Sequence, residues 1–279
     1  MPFIEVEDGR VYYEASGMGK HLILIHGAWA SHVWWRWQVP VLSEHYRVVT
    51  IDVRGHGLSS PLKGASSVEQ FARDLREIID KIGADETVLV GWSMGGLIAM
   101  QYCLDYPLHS KALILIATRG HRTPRLKQRI RLHYLWTQLN FLSEISAPRG
   151  YDRRARQFPD GQNVIKKEIT KMLSPSASQE TFDWVTDELT KRPVTNYYEV
   201  ARSIWDWGPE EELKRIDIPA LLLVGDGDRS TPPRFSSYLH SLLPNSRLKI
   251  IEGVGHCLII EDPPVVNREI IEFLREVGY

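Results

Sequence analysis

Three residues with the chemistry of a nucleophile, an acid and a base follow three different predicted strands, in the chain order Ser93, Asp228 and His256. A serine hydroxyl becomes a strong nucleophile when an imidazole takes its proton, and a neighbouring carboxylate fixes the tautomer of that imidazole and stabilises its charged form. Each residue alone could be an ordinary loop residue. In open α/β sheets, functional residues lie where the carboxyl ends of the strands meet. The joint placement of these three residues therefore predicts a Ser-His-Asp triad.

The serine lies in the sequence Gly-Trp-Ser-Met-Gly at residues 91–95, which fits the pattern G-x-S-x-G. Before it, residues 87–90 predict a buried strand, and after it Met94 to Tyr106 predict a helix that is closed by Pro107. A strand, a sharp turn and a helix are the context in which this pattern forms a nucleophile elbow. Outside that context, the pattern would be a glycine-rich turn with a solvent-facing serine.

Two acidic residues compete for the acid position in the sequence Gly-Asp-Gly-Asp at residues 225–228. The spacing G-x-x-D-x-x-x-P favours Asp228, because that residue lies further into the loop after the strand and can turn toward His256. Asp226 is then expected to cap the turn or to face solvent. The sequence therefore predicts that Asp228 orients the histidine.

Two backbone N–H groups beside the nucleophile would be needed to stabilise an oxyanion. His26, Gly27 and Ala28 follow the first continuous apolar run of the chain, which predicts a buried strand. We expect the N–H of Ala28 to be one donor and the N–H of Met94, directly after the nucleophile, to be the other. The side chains of His26 and His56 are expected to organise loops and not to transfer protons.

Two tryptophans adjoin these predicted catalytic elements in the sequence. Trp29 follows the oxyanion loop and Trp92 precedes the nucleophile, so both are candidates for substrate binding. Four more tryptophans fall between the sixth and seventh predicted strands: Trp136, Trp184, Trp205 and Trp207. If several of them face the site, the pocket is apolar and aromatic. The alternative, favoured for any single one of them, is that they pack this segment against the rest of the protein.

Eight predicted strands, most of them separated by helices, would position these residues. The strands are expected at 3–7, 10–15, 21–25, 46–51, 87–90, 112–116, 218–224 and 247–251, and helices at 34–43, 68–82, 94–106, 233–243 and from 263 onward. Asp8-Gly9 predicts a hairpin between the first two strands, and Ser67 with Gln70 predicts a capping box. The pattern indicates an α/β fold with a mostly parallel eight-stranded sheet and helices on both faces.

The alternation of strands and helices stops between residues 119 and 208. We expect this segment to be a helical cap inserted into a core made of residues 1–118 and 209–279, with helices opening at Thr123-Pro124 and spanning 163–173, 180–189 and 195–207. Residues 119–159 carry ten Lys and Arg against two acidic residues, whereas residues 160–212 carry six against eleven. An anionic substrate would explain the basic half, but pairing of the two halves with each other and with solvent is the favoured interpretation.

The composition is that of an ordinary globular protein, with 43% hydrophobic and 25% charged residues among 279 and a net charge of −1. So small a net charge gives no electrostatic footprint for nucleic acid or an anionic membrane. Cys103 and Cys257 give no disulfide framework, and the N-terminus lacks the pattern of a signal peptide. These features favour a cytoplasmic protein. The sequence also lacks the spacing of a metal-ligand cluster or a phosphate-binding loop, so no metal or cofactor is predicted.

Together these motifs resemble those of the α/β-hydrolase superfamily, in its capped branch. The matching sequences are His26-Gly27, Asp52-x-Arg54-Gly55-His56-Gly57-x-Ser59, Gly91-Trp92-Ser93-Met94-Gly95-Gly96, Gly225-x-x-Asp228-x-x-x-Pro232 and Gly255-His256. The resemblance covers residues of about 1–118 and 209–279, and it leaves the substrate open because it does not extend to the predicted cap.

The resemblance implies a serine hydrolase that cleaves a carboxylic ester, or a related acyl bond, of a small apolar or aromatic substrate through an acyl-enzyme. A C–C bond hydrolase, a thioesterase, a lactonase and a non-haem haloperoxidase share the fold and triad and stay open as alternatives. Serine at position 93 argues against the epoxide-hydrolase and haloalkane-dehalogenase branches, which by this resemblance would carry aspartate there. A ligand-binding receptor or a cofactor-free oxygenase on the same fold is disfavoured by the complete triad and oxyanion loop.

Overall fold

An eight-stranded sheet runs through the protein, as the sequence predicts. The computed structural model describes residues 2–64, 66–84, 86–122, 169–191 and 197–279. The strands are β1 (Phe3–Val6), β2 (Gly9–Ser16), β3 (His21–Ile25), β4 (Arg47–Ile51), β5 (Thr87–Trp92), β6 (Ser110–Ile116), β7 (Ala220–Gly225) and β8 (Ser246–Ile251). Their order in the sheet is β1-β2-β4-β3-β5-β6-β7-β8. The pairs β1–β2 and β2–β4 are antiparallel and the other pairs are parallel.

Helices cover both faces of the sheet because the central strands are apolar on both sides. They are α1 (Val39–Leu42), α2 (Val68–Lys81), α3 (Met94–Asp105), α4 (Gln179–Lys191), α5 (Tyr197–Asp206), α6 (Glu210–Leu213), α7 (Pro233–Leu242), α8 (Leu258–Glu261) and α9 (Pro263–Glu276), with a 3₁₀ helix at His32–Trp35. In β3, Ile23 and Ile25 pack in the core shared with α2 and α3, whereas Leu22 and Leu24 pack in the core shared with α9. Side chains alternate across a strand, so each strand supplies both cores. In the part of the chain that the structure describes, no helix combines the length and the apolarity that a membrane crossing requires.

Two local predictions are corrected by the structure. The hairpin turn lies at Glu7 and Asp8 and not at Asp8-Gly9, because Gly9 already pairs with Val6 in the sheet. The single helix expected over 34–43 is instead the 3₁₀ helix followed by the short helix α1. Pro40 explains the break, because a proline has no N–H to donate to the preceding turn and fits only the first turn of a new helix.

The capping box predicted before α2 is half formed. Ser67 is the N-cap, and its hydroxyl accepts a hydrogen bond from the N–H of Gln70. The side chain of Gln70 does not return to the cap; its amide donates to the Asp8 carboxylate at 2.8 Å. The helix start is therefore as predicted, and the glutamine ties the helix to the hairpin.

The segment 119–208 enters and leaves the fold at neighbouring points. The Arg119 guanidinium donates to the carbonyl of Ile204 at 2.7 Å, and a β-carbon on Gly208 would lie 2.2 Å from the backbone nitrogen of Arg122. The helices expected at 180–189 and 195–207 correspond to α4 and α5. Of the helix expected at 163–173 only residues 169–173 are described, of which 169–172 are helical, and the helix expected at Thr123-Pro124 lies outside the described residues.

Candidate active site

Ser93 occupies a strained turn between β5 and α3. Its backbone has φ 54° and ψ −114°, a conformation that costs a non-glycine residue about 1–3 kcal/mol and persists only when its surroundings impose it. Here its N–H donates to the carbonyl of Ile116 at 2.8 Å, and its carbonyl accepts from the hydroxyl of Thr118 at 2.7 Å. A β-carbon on Gly91 would lie 2.4 Å from the carbonyl oxygen of Gly95. The turn thus requires glycine on both sides of the serine.

The loop that follows β3 lies directly against this turn. A β-carbon on Gly27 would lie 2.9 Å from the Trp92 ring and 3.2 Å from the Ser93 β-carbon. A β-carbon on Gly95 would lie 2.0 Å from the carbonyl oxygen of Ile25. The absence of side chains at these two positions therefore brings the backbone around Ala28 close to Ser93.

Met94 is the first residue of α3. N–H groups in the first turn of a helix have no partner within the helix and carry its partial positive charge. The N–H groups of Ala28 and Met94 thus both belong to backbone that adjoins the serine, which is the geometry expected of the two predicted donors. Their role as an oxyanion hole stays a prediction.

The structure brings Ser93, His256 and Asp228 together in one chain of hydrogen bonds. His256 Nε2 lies 3.0 Å from Ser93 Oγ, and His256 Nδ1 lies 2.8 Å from Asp228 Oδ2. The histidine follows β8 and the aspartate follows β7, whereas the serine follows β5. Both the imidazole and the carboxylate are buried. With the Nδ1 proton donated to the carboxylate, Nε2 is left as the acceptor for the serine proton.

Asp228 is held as an ionised carboxylate. Its Oδ1 accepts from the N–H groups of Ser230 at 2.7 Å and Thr231 at 2.8 Å, and its Oδ2 also accepts from the Thr231 hydroxyl at 2.7 Å. Burial pushes its pKa up, but the charge of His256 and the hydrogen bonds from His256 and Thr231 outweigh burial and leave the pKa below its ordinary value. A carboxylate that stays ionised keeps its attraction for an imidazolium.

Asp226 has the different position that the sequence predicts for it. The residue is exposed, and its Oδ1 accepts from the N–H of Gly253 at 2.9 Å. It therefore fastens the turn after β7 to the turn after β8. The carboxylate that contacts the histidine is Asp228.

His26 and His56 organise loops, in agreement with the prediction. His26 Nε2 accepts from the N–H of Val53 at 3.0 Å, so this buried ring links the loops that follow β3 and β4. His56 is also buried, and its Nδ1 lies 3.2 Å from the carbonyl oxygen of Arg54. Burial, with His26 nearby, lowers the pKa of His56 to about 3. It is a neutral side chain near neutral pH.

The two tryptophans predicted to bind substrate have different positions. Trp92 is buried: its ring stacks on Trp34 with centroids 4.9 Å apart, and its indole N–H donates to the His256 carbonyl at 2.9 Å. These contacts do not match the expectation that Trp92 faces the substrate, because its side chain is used to hold the histidine loop. Trp29 is half-buried in the loop beside Ser93, with φ 63°, and its role stays a prediction.

The tryptophans of the segment 119–208 that lie close to the core pack against it. The Trp184 ring meets Trp34 edge-on, with centroids 5.4 Å apart. The indole N–H of Trp207 donates to the Gln101 side chain of α3 at 2.8 Å, and Trp207 is buried. The alternative that these residues join the segment to the core is therefore the one that their contacts favour. Trp136 lies outside the described residues.

Three residues near the triad were not found from the sequence. Thr231 bonds the triad carboxylate, Thr118 bonds the serine carbonyl, and Glu261 bonds the backbone of the histidine loop. Only Thr231 carries a sequence signal, since a threonine three residues after an aspartate can return hydrogen bonds to it within one turn. Thr118 bonds a residue that is distant in the chain, and Glu261 bonds the distant Ser174 as well as the nearby Gly255; no local pattern reports such long-range contacts.

The sequence matches the alpha/beta hydrolase fold family over residues 20–263. The chain therefore belongs to the α/β-hydrolase family, and it is an enzyme of that family.

Named relatives of the chain carry out different hydrolytic reactions. A bifunctional epoxide hydrolase 2 of Sus scrofa is 25% identical, over 95% of this chain and 53% of that protein, so the chain spans about half of that relative's length. A pimeloyl-(acyl-carrier protein) methyl ester esterase of Vibrio cholerae is 25% identical, over 94% of this chain and 97% of that protein. The solved structure of a thermophilic esterase from Thermogutta terrifontis has a TM-score of 0.83 and 25% identity, covering 97% of this chain and 95% of that one. The family thus identifies the protein as a hydrolase, whereas the cleaved bond differs among its relatives.

Proposed function

We propose that the protein is a serine hydrolase that cleaves a carboxylic ester, or a related acyl bond, of a small apolar or aromatic substrate. One observation carries the proposal: Ser93 Oγ lies 3.0 Å from His256 Nε2 while His256 Nδ1 lies 2.8 Å from Asp228 Oδ2. Both distances lie within the hydrogen-bond reach that proton transfer requires.

The proposed reaction has two halves. In the first, Ser93 Oγ attacks the carbonyl carbon as His256 takes the hydroxyl proton. The tetrahedral intermediate then collapses, the bond to the leaving alcohol breaks, and His256 returns the proton to that alcohol. In the second half, His256 takes a proton from water as the water attacks the acyl-enzyme, and the acid is released as Ser93 recovers its proton. Asp228 stays ionised throughout and stabilises the imidazolium.

The oxyanion of each tetrahedral intermediate would be held by the N–H groups of Ala28 and Met94. The close approach allowed by Gly27 and Gly95 supports this assignment, because it draws both stretches of backbone to the serine. Each such donor typically contributes about 2.7–4 kcal/mol to stabilising the transition state.

Serine at the elbow supports an acyl reaction over the reaction named for the epoxide hydrolase relative. The acyl-enzyme formed on a serine is an ester, and it breaks down when water attacks its acyl carbon. The histidine can activate that water. An epoxide offers no carbonyl, so a serine attack on it would give an ether that water cannot hydrolyse readily. The esterase names among the relatives agree with this preference.

We also propose that residues 119–208 form a cap over the site, inserted between the core segments 1–118 and 209–279. The adjacent entry and exit of the segment at Arg119, Ile204 and Gly208 support an insertion. Packing of Trp184 on Trp34 supports docking of the segment close to the nucleophile elbow. A cap of this kind would set the length of the acyl group that the site accepts.

A panel of nitrophenyl esters of increasing acyl length tests the proposal. Wild type, Ser93→Ala and Ser230→Ala are compared; the last removes an exposed hydroxyl from the acid loop, which makes it a matched control. We expect turnover by wild type and Ser230→Ala, and none above the buffer rate by Ser93→Ala. The free energy of unfolding of Ser93→Ala should stay within about 0.5 kcal/mol of wild type.

Two results would contradict the proposal. Turnover by Ser93→Ala at the wild-type rate would remove the serine from the mechanism. A folded wild type that hydrolyses none of the esters would exclude a carboxylesterase, and thioester, lactone and β-diketone substrates would then identify the bond that the same triad cleaves.

A further inference from the structure

Hydrogen bonds join the loop that carries His256 to residues 169–176, a segment that belongs to the proposed cap. The N–H of His256 donates to the carbonyl of Met172 at 2.7 Å, and the N–H of Cys257 lies 3.3 Å from the same oxygen. The hydroxyl of Ser176 donates to the carbonyl of Gly253 at 2.9 Å. Two stretches of chain that are about eighty residues apart thus run alongside each other at the base of the triad.

Glu261 joins these two stretches with its two carboxylate oxygens. Oε1 accepts from the N–H of Gly255 at 3.0 Å, and Oε2 accepts from the N–H of Ser174 at 2.8 Å. Glu261 is the last residue of α8, five residues after the histidine. One oxygen therefore holds the residue before His256, and the other holds the neighbouring segment.

The close approach of the two stretches depends on Gly255. A β-carbon there would lie 2.7 Å from both the Met172 carbonyl oxygen and the Ser174 nitrogen. With this approach, Gly255, His256 and Cys257 all have backbone N–H groups directed at acceptors outside the loop. The backbone of the loop is thereby held on both sides of the imidazole.

We propose that Glu261 is a positioning residue, whose carboxylate fixes His256 relative to Ser93 by clamping the histidine loop to the segment 169–176. This inference rests on the proposed role of His256 as the base. It also makes the proposed cap part of the catalytic geometry. A displacement of the segment would therefore move the imidazole as well as change the substrate pocket. Small misplacements of catalytic groups lower the reaction rate strongly.

The discriminating substitution is Glu261→Gln, because glutamine keeps the size of the side chain but has one acceptor oxygen. One of the two N–H groups, on Gly255 or Ser174, would then face the NH₂ of the amide. Glu252→Gln is the matched control, since Glu252 is an exposed glutamate close to the same loop. Ser174→Ala is a milder second variant; it keeps the N–H and removes the hydroxyl, which lies 2.9 Å from Ser176 Oγ and helps to lower the pKa of Glu261 against the effect of burial.

Two measurements are made on all of these proteins. The first is the low-field proton resonance of the His256 Nδ1–H, assigned by its loss in Asp228→Asn. The second is the pair of constants kcat and KM on the best ester of the panel. For Glu261→Gln we expect the resonance to shift or broaden, kcat to fall about tenfold and KM to change less than about threefold. Ser174→Ala should move the resonance in the same direction by less, and Glu252→Gln should match wild type.

A purely structural role for Glu261 predicts a different result. The unfolding temperature of Glu261→Gln would fall while its resonance and kcat equal those of Glu252→Gln, and that outcome would overturn the inference. If Glu261→Gln does not fold, Glu261→Asp takes its place, because its shorter side chain cannot reach both N–H groups, and an unchanged resonance and kcat in that variant would overturn the inference equally. A wild type without ester turnover contradicts the proposed function alone, because the resonance still reports whether Glu261 positions the imidazole.

Discussion

Two buried Asp–His pairs in the part of the chain that the structure describes have nearly equal geometry and different surroundings. In one, Asp228 Oδ2 lies 2.8 Å from His256 Nδ1, and in the other Asp52 Oδ1 lies 2.9 Å from His32 Nδ1. Both carboxylate side chains are fully buried, and both aspartates follow a strand of the sheet. An Asp–His pair at a strand end is therefore not by itself a sign of catalysis.

The difference lies at the second nitrogen of each imidazole. His256 Nε2 faces the hydroxyl of Ser93 at 3.0 Å, whereas His32 Nε2 faces the half-exposed carboxylate of Glu14 at 3.4 Å. In the first arrangement the imidazole can accept the proton of the Ser93 hydroxyl, and the serine oxygen becomes a stronger nucleophile when it loses that proton. The second has an imidazole between two carboxylates, an arrangement that links the loop after β3 to β2 and to the loop after β4. The comparison indicates that the third group decides what the pair does.

The largest expected effect separates the two histidines. His256→Gln should lower kcat/KM by about 10⁴-fold or more, because it removes the base. His32→Gln should leave kcat/KM within about fivefold of wild type and lower the free energy of unfolding by about 1–3 kcal/mol, since it disturbs a buried hydrogen bond. Ester kinetics and urea unfolding of both variants measure this. Equal losses of activity would refute the division between a catalytic and a structural pair.

The next effect separates the two aspartates after β7. Asp228→Asn should lower kcat by about 10³–10⁴-fold, because the amide no longer stabilises the imidazolium and supports the wrong tautomer. Asp226→Asn keeps an oxygen that can accept from Gly253, so its kcat should stay near that of wild type. Both variants are assayed on the same ester at the same pH. The reverse ranking would move the acid role to Asp226.

A third prediction concerns stability and contrasts Asp52 with the triad. Asp52 accepts from the N–H of His32 at 2.6 Å and, through its other oxygen, from the N–H of Leu58 at 2.7 Å. Asparagine can satisfy only one of them, so Asp52→Asn should lower the free energy of unfolding by about 2–3 kcal/mol. The kcat of the folded protein should change less than about tenfold. A loss of kcat as large as that of Asp228→Asn, with unchanged stability, would contradict the structural role.

The difference in stability between wild type and Asp52→Asn should depend on pH in a defined direction. Burial raises the pKa of Asp52, but the hydrogen bond from His32, the nearby histidine charges and the N–H of Leu58 outweigh burial, so its pKa lies below the ordinary value. The stability that it contributes is then complete above about pH 4 and is lost as the pH falls below that. The difference between wild type and Asp52→Asn should therefore narrow in acid. A difference that widens there would contradict the lowered pKa.

The grouping of Ser93, Asp228 and His256 could be predicted from the sequence because each of them follows a strand with a strong local signal. Glycines at 91 and 95 predict the tight turn around Ser93, and the loop spacing favours Asp228 over its neighbour. Its position next to Ser93 in the sequence makes Trp92 a candidate for substrate binding. Adjacent strand residues face opposite sides, and the side on which Trp92 lies is decided by its packing with Trp34.

The fold was predictable where apolar runs are continuous and less so where single residues set a boundary. The central strands β3, β5, β6 and β7 follow from such runs. The first turn is displaced by one residue because Gly9 pairs in the sheet despite its turn propensity. The contacts of Glu261 join residues that are far apart in the chain, and a sequence pattern carries no information about them. The same holds for the Thr118 hydroxyl bound to the Ser93 carbonyl.

The smallest predicted effect concerns the Thr231 hydroxyl, which bonds the Asp228 carboxylate; the described contacts of the Asp52 carboxylate are instead the His32 ring and two backbone N–H groups. The Thr231 hydroxyl donates to Asp228 Oδ2 at 2.7 Å, the oxygen that also bonds the histidine, and it lies 3.2 Å from His256 Nδ1. It therefore fixes the carboxylate plane in which the imidazole must lie.

Thr231→Val keeps the shape of the side chain and the backbone N–H but removes this donor, and it should lower kcat/KM by about tenfold, the equivalent of one hydrogen bond. Thr231→Ser restores the hydroxyl and should recover most of the loss. Ester kinetics on the two variants measure this. If serine rescues no better than valine, the hydroxyl is not what orients the carboxylate. Asp228 would then be held by the N–H groups of Ser230 and Thr231 alone, and the two Asp–His pairs would differ only in the group that faces the second nitrogen.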